Sequence, residues 1–416
     1  MDTPLKHDPL AALRIGEYRL FIGFRFFMTI AVQMQSLIIG WQVYELTRDP
    51  LFLGLVGLAE AVPFIAISLY AGHMADLHDR KRLILGFFLL LMAGTVILLI
   101  FSLDLKRFYE AVGLVPIFGV VALTGIARSF IGPAAVALSA QLVPRSLYPN
   151  SSTWSSLVWH ISAIAGPALG GLIYGFFGVL AAYGAILVSA SLSLLMLSGI
   201  AGRPVPGDDK AEPIRRRLAT GLRFVFRHPV LLPSMALDMF GVLFGGAVSM
   251  LPVFAVEVLK VGPKELGFLR AAPMAGAVLM SLVLTWRPPM VRSGRSLLLA
   301  VTGFGASIIL FALSRNLSLS LFFLFLSGLF DNISVVIRST IMQLATPDEM
   351  RGRVASVNSI FIGSSNEIGS FESGLAAKIM GLVPSVIFGG GMTLLVVAVT
   401  AKVAPKLRKL SLHALR

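Results

Sequence analysis

Apolar runs of about 20 residues, the length a helix needs to cross a hydrocarbon core of about 30 Å, recur along the chain between short polar breaks. Twelve such runs are read, near 20–45, 51–75, 83–103, 112–142, 151–177, 180–200, 231–259, 265–286, 296–313, 317–345, 353–380 and 383–403. The longest polar interval, "GRPVPGDDKAEPIRRRLATGLRFVFRHPVL", divides them six and six. Its first part, rich in Pro, Gly and Asp, reads as a linker. From Ile214 to Phe226, apolar residues at helical spacing oppose Arg215, Arg216, Arg223 and Arg227, which predicts a helix lying on the membrane surface. The expected fold is an all-α integral membrane protein of twelve spans in two pseudo-symmetric six-helix bundles, residues 1–200 and 231–416, joined by linker 201–230.

The two halves echo each other. "QLVP" at Gln141 returns as "QLATP" at Gln343, "PLFLGLVG" at Pro50 as "PKELGFLR" at Pro263, and "DRKRLIL" at Asp79 as "SGRSLLL" at Ser293. Internal repeats of whole bundles are a known construction of secondary transporters, with substrate held between the repeats near the bilayer midplane.

Composition agrees with a lipid solvent: 56% of the 416 residues are hydrophobic and 13% charged, too little charge to cover a water-soluble globule. The net charge of +14 is distributed by side. Clusters at Arg80–Arg82, Arg215–Arg217 and Lys406–Lys409 fall on one face, and the other face holds only Arg48, Lys106, Arg107, Lys260, Lys264, Arg315 and Lys378. That is the positive-inside pattern; it predicts a plasma (inner) membrane protein with both termini cytoplasmic, contacts with anionic lipid and no nucleic-acid partner. Four arginines, Arg25, Arg128, Arg270 and Arg338, fall inside or at the edges of spans. The absence of cysteine excludes disulfides, thiolate metal sites and cysteine nucleophiles. The N-terminal segment lacks the order of a signal peptide, so the first span is expected to be retained. No nucleotide P-loop, H-x-x-x-H pair or G-x-S-x-G elbow occurs, so neither ATP hydrolysis nor enzyme chemistry, cofactor or metal is expected.

Three polar stretches carry candidate chemistry. Between spans 2 and 3 lies "GHMADLHDRKRL", with Gly72, Asp76, Arg80 and Lys81. Small residues let helices approach in lipid, and an acid at the inner end of span 2 is suited to the N-terminus of span 11 near Gly352 to Val354, where free N–H groups favour an anion. Span 4 carries Arg128 in "LTGIARSFIGPAA", and an intramembrane cation faces a cavity or a partner by default. Span 5 carries Gly166, Pro167, Gly170 and Gly171 in "HISAIAGPALGGLIYG", a bendable, closely packing seam. Polar residues within other spans add Glu60, Asp238, Asp331 and Glu367 to a candidate cavity lining. A buried carboxylate can carry a proton over a working pH range. Asp331 and Arg338, two helical turns apart, are expected to be linked through a third group. Trp41, Trp154, Trp159 and His160 are expected to be structural.

These stretches resemble signatures of the major facilitator superfamily over essentially the whole chain. The loop between spans 2 and 3 resembles the family's G-x-L-a-D-r-x-G-r-k motif, with Leu77 and Asp79 departing from it. The resemblance implies that Asp76 latches the inner side in the outward-facing state. Arg128 with Gly132 and Ala134 resembles the R-x-x-q-G-x-g motif of proton-coupled exporters, Ile131 replacing Gln, and span 5 resembles the G-P-x-x-G-G antiporter motif. With "DEMRGRVASVNS", "GWQVYELT" and "GLVGLAEAVP", the chain is similar to the branch that includes enterobactin exporters. What this implies is a monomeric proton-driven antiporter exporting a bulky amphipathic small molecule, such as a catecholate siderophore or a drug-like compound. A lysophospholipid or lipid transporter on the same fold is the related alternative; a non-transporting receptor or an integral membrane enzyme is the alternative from another class.

Overall fold

The computed structural model describes residues 8–203, 214–286, 292–347 and 350–412; the side chains of residues 69, 73, 76, 214–219, 352, 356, 360 and 364 lie outside that description. All regular structure among the described residues is helical. The first half comprises α1 (Gly16–Thr47), α2 (Pro50–Leu77), α3 (Arg80–Leu103), a short α4 (Leu105–Val112), α5 (Val115–Leu142) and α6 (Tyr148–Ser198). After α7 (Ile214–Arg227) follow α8 (Leu231–Phe244), α9 (Leu251–Val253), α10 (Pro263–Trp286), α11 (Ser293–Leu313), α12 (Leu317–Ala345), α13 (Arg351–Met380), α14 (Leu382–Val403) and a terminal turn, α15 (Pro405–Arg408). Length and apolar composition qualify 10 helical segments as spans. One of them, 145–198, crosses twice, and α13, rich in polar residues, completes the twelve.

The breaks follow local chemistry. Arg48 turns the chain at φ 52°, and Asp49 then caps α2 by accepting the Leu51 N–H at 3.0 Å, with Pro50 in the first turn. Within α6, Gly178 at φ 82° and ψ 176° separates two spans, a conformation that costs glycine little because it has no Cβ. The expected run 112–142 is the single helix α5 from Val115, and Gly113, φ 60°, separates it from the short α4 before it. The expected run 231–259 is also not one helix. It stops at Gly245, makes a tight turn at Ala247–Met250, and ends in a wide turn at Phe254–Val258. A Cβ on Gly245 would lie 2.5 Å from the Phe304 ring of α11 and 2.7 Å from the Gly241 carbonyl. Packing therefore favours small residues here, and the glycine pair followed by Pro252 interrupts the helix. The linker helix α7 forms as expected, with Gly221 against the Arg353 carbonyl of α13.

The buried apolar clusters show which face is closed. At the face opposite the termini, residues of both halves share one core: Leu37, Tyr44 and Leu53 pack in the same cluster as Phe254, Leu266 and Phe311. Toward the termini the described core separates into clusters drawn from one half only, around Phe21 and Leu138 in the first and around Leu237, Ile341 and Val354 in the second. The molecule is closed at the far face and open toward its termini.

Two helix crossings make that closure, related by the internal repeat. In α10, Gly267 meets Gly171 of α6; a Cβ on Gly171 would lie 2.8 Å from the Gly267 Cα and 2.5 Å from the Pro263 carbonyl. In α2, Gly54 meets Gly374 of α13, where a Cβ would lie 2.9 Å from the Gly54 Cα. Gly54 and Gly267 stand at the same place in the repeated Pro-x-x-x-Gly starts of α2 and α10. Without a hydrophobic effect to drive helices together in lipid, such close backbone contact is a main source of association. Polar clasps flank the crossings: Lys378 Nζ lies 2.6 Å from Asp49 Oδ2, and the Tyr44 hydroxyl donates to Glu257.

Replacing Gly171 by Val is expected to loosen the far face. Spin labels at Lys106→Cys and Ser318→Cys, both exposed there, are expected to report a longer distance than in the parent; an unchanged distribution would show that the crossing does not hold the closure. The Asp49–Lys378 clasp has its own pH signature. Partial burial raises the Asp49 carboxyl's pKa, but the hydrogen bonds from Lys378 and the Leu51 N–H, with the Lys378 charge, outweigh it and leave it below its ordinary value of 3.8. A depressed carboxylate contributes above its ordinary pKa and loses that contribution as pH falls through the folded one. The clasp is expected to hold unchanged from pH 8 to about 5 and to release below about 4, read with the same labels against Lys378→Gln.

Candidate functional site

Midway along the membrane, α2 crosses α5 so closely that a Cβ on Gly125 would overlap the Glu60 carbonyl. One turn beyond Gly125, Arg128 projects toward Glu60, and its Nη1 forms a short charge-assisted hydrogen bond with Glu60 Oε1. The same nitrogen lies 3.5 Å from Glu367 Oε1 on α13, and the guanidinium sits 5.6 Å from the Phe64 ring centre. Glu367 is placed by the far-face crossing, because Ser370, one turn away, abuts Gly57 of α2. One cation from the first half is thus shared by a carboxylate of its own half and one of the other. The Arg128 side chain keeps 47% exposure because it lines a cavity of 510 Å³, walled mainly by α1, α2, α3 and α5 and including Arg25, Gln33, Phe64, Phe88 and Trp159.

The second half has its own chamber, 190 Å³, between α8, α12 and α13. Asp238 Oδ1 and Arg338 Nη2 meet at 2.7 Å, with side-chain exposures of only 9% and 10%, and Arg338 Nε donates to Ser334 at 3.3 Å. Asp331 lines the same chamber and has no hydrogen bond or ion pair among the described residues. Arg338 is answered by Asp238, and no side chain among the described residues is bonded to both Asp331 and Arg338, so the expected third-group link is absent there.

The predicted residues therefore divide. Glu60, Arg128 and Glu367 come together at one centre, and Asp238 and Asp331 at another. Gly166, Gly170 and Gly171 pack closely: Gly166 lies against Gln33 of α1, Gly170 against Met34, and Gly171 against α10. The Pro167 carbonyl is the atom a Cβ on Gly267 would strike, at 2.5 Å. The loop motif is engaged within its own half. Lys81 Nζ donates to the Ser198 carbonyl at 3.0 Å and to that of Ile200, and Arg80 Nε reaches the Ala75 carbonyl at 3.4 Å. Gly72 is not a close-approach glycine in this conformation, since a Cβ there would meet nothing within 4 Å; the face it lies on is open. The Asp76 side chain and Gly352, its expected partner region, lie outside the described residues. Trp159, expected to be a packing residue, lines the large cavity beside His160. Gln35 is a structural post, accepting from Thr95 at 2.7 Å. The clasps Asp49–Lys378 and Tyr44–Glu257 were not legible, because their partners lie hundreds of residues apart in sequence. No cluster able to hold a metal occurs among the described residues.

Comparison with known proteins accords with this geometry. The family model described as "Transmembrane secretion effector" matches residues 7–415. Among curated relatives, the Enterobactin exporter EntS of Escherichia coli O1:K1 / APEC is 27% identical over 339 residues, covering 79% of this chain and 78% of the relative. The protein of that name from Shigella boydii serotype 4 (strain Sb227) matches equally. Among solved structures, a bacterial homologue of the iron transporter ferroportin in an inward-facing state superposes with TM-score 0.71 at 17% identity, covering 96% of this chain and 99% of that one. A bacterial homologue of the human lysosomal transporter Spinster, inward-facing and unoccupied, gives 0.74 at 13%, covering 94% and 98%. The chain belongs to the transmembrane secretion effector family of the major facilitator superfamily, and is a multi-pass membrane transporter of small molecules, not an enzyme.

Proposed function

We propose that the protein is a proton-coupled antiporter that exports a bulky amphipathic solute of the siderophore class across the inner membrane, with both termini in the cytoplasm and one chain as the working unit. Residues 1–200 and 231–416 move against each other about the linker 201–230, exposing the central cavity to one face and then the other. The observation that carries this reading is the sharing of Arg128 between Glu60 and Glu367. Two carboxylates facing one guanidinium leave a net negative charge, and a single proton on Glu367 restores neutrality. That proton weakens the ionic contact between α5 and α13, so its binding favours separation of the halves at mid-membrane. The export direction and the siderophore class are supported by the G-P-x-x-G-G seam and by the likeness to enterobactin exporters. In the outward-facing state Asp76, Arg80 and Lys81 take the role of inner latch.

Reconstituted in liposomes with a trapped pH dye, the protein is expected to move protons in response to a siderophore or drug-like cargo. Glu367→Gln is expected to retain cargo binding while losing at least about 90% of the coupled proton signal, and Arg128→Gln to lose both cargo movement and coupling. Proton-free cargo flux that neither substitution alters would overturn the coupling mechanism. Binding without any flux in the parent protein would favour a receptor.

The second chamber gives a stability prediction. Removing one partner of a buried ion pair leaves the other charge unpaired and costs roughly 3–5 kcal/mol. Arg338→Met is therefore expected to lower the thermal transition sharply in detergent, and Asp238→Asn added to it to restore much of the loss. Equal destabilisation by the single and double variants would show that the pair is not coupled.

A further inference from the structure

Of the four arginines in or at the edges of spans, three are answered by the protein. Arg128 has Glu60 and Glu367, Arg338 has Asp238, and Arg270 donates from α10 across to the Ser36 hydroxyl of α1 at 3.3 Å. Arg25 is different. Among the described residues its side chain makes no ion pair and no hydrogen bond, and the hydroxyl of Tyr18, two turns earlier on α1, is spent on the Ser151 carbonyl at 2.6 Å. A cation at membrane depth without a counter-charge is costly, yet Arg25 lies in the wall of the 510 Å³ cavity.

Its surroundings extend the point. Arg25, Thr29, Gln33 and Ser36 follow at spacings of four, four and three residues, one face of α1, and all four line the cavity. The stripe runs roughly 16 Å at 1.5 Å per residue, from Arg25 to the hydroxyl that Arg270 holds. Every group on it can donate a hydrogen bond, and none is an acid. The rest of the wall adds aromatic and thioether surface, Met28, Phe64, Phe88, Met92 and Trp159, with Glu60 at its α2 side already taken up by Arg128. A cavity of this volume lies within the usual range for drug-sized ligands.

We propose that the Arg25 stripe is the recognition site for the anionic group of the cargo, and that the cargo is an aryl anion, an aromatic body bearing a carboxylate or phenolate. Arg25 supplies the counter-charge, and its planar donor fork suits a two-oxygen anion. Thr29 and Gln33 continue the donor track inward, and the aromatic wall receives the apolar body. This assignment rests on the transporter reading for the cavity's role as a cargo site, and its test separates the two.

Three fluorescent probes share one aromatic body and differ in charge: dansylglycine, its neutral amide, and the amine dansylcadaverine. Binding is read from dansyl emission with the protein in nanodiscs, and movement separately in proteoliposomes. The parent protein is expected to bind dansylglycine about tenfold or more tightly than the amide, and the amine most weakly. Arg25→Gln is expected to weaken dansylglycine about tenfold or more while leaving the amide within about twofold, and Arg25→Lys, which keeps the charge but not the fork, to recover part of the loss. Equal affinity for acid and amide in the parent, no binding of any probe, or equal loss for both probes in Arg25→Gln would each overturn the anion site. Charge-selective binding without movement in proteoliposomes would leave the site standing and overturn the transporter reading instead.

Discussion

Everything at the centre of this molecule depends on two glycine-on-glycine crossings near the far face, Gly171 with Gly267 and Gly54 with Gly374. Lipid offers helices no hydrophobic gain for pairing, so the halves hold together where backbones can touch. Because the crossings join α6 to α10 and α2 to α13, they close one face and leave the other free. They also set the depth at which the halves begin to diverge. Glu367 stands about one turn below the Gly57–Ser370 contact and still reaches Arg128 of the first half.

The ionic centre is therefore a reading of the crossing. A cation shared between carboxylates of two rigid bodies is sensitive to their separation, because Coulombic attraction in a low-dielectric setting falls steeply once water enters between the charges. Apolar packing at the far face has no comparable chemical handle. The polar clasps at Asp49–Lys378 and Tyr44–Glu257 add a second layer at the water-facing rim, where ion pairs contribute little individually.

The two cavities differ in kind. The large one, mainly in the first half, combines arginine-bearing walls with aromatic surface; the small chamber of the second half is a buried ion pair with an additional acid, Asp331. The halves keep the same helix plan and the same Pro-x-x-x-Gly starts at Pro50 and Pro263, while their interiors have diverged. The repeat is kept where backbones touch, at the glycine crossings, while the seventh span breaks where α1 does not and the cavity side chains differ.

The sequence by itself determined the solvent, the spans and their order, because a helix crossing lipid must be predominantly apolar over about 20 residues and the longer polar breaks fall between crossings. It also exposed Glu60, Arg128, Asp238, Asp331 and Glu367, since an ionisable group is conspicuous in an apolar run whatever it contacts. Partnership was decided only by the tertiary structure. Nothing in the local pattern shows that Glu367 faces Arg128 and not Arg338, or that Asp238 takes Arg338, because the helices that packing brings together here are distant in sequence. The interrupted seventh span was hidden for a related reason: "FGGAVSMLP" is apolar enough to read as continuous helix, and the close approach of Phe304 that favours the glycine pair comes from another span. Arg25 stood in plain view as a charge at the edge of the first span; its lack of a partner could be seen only when every neighbour was in place.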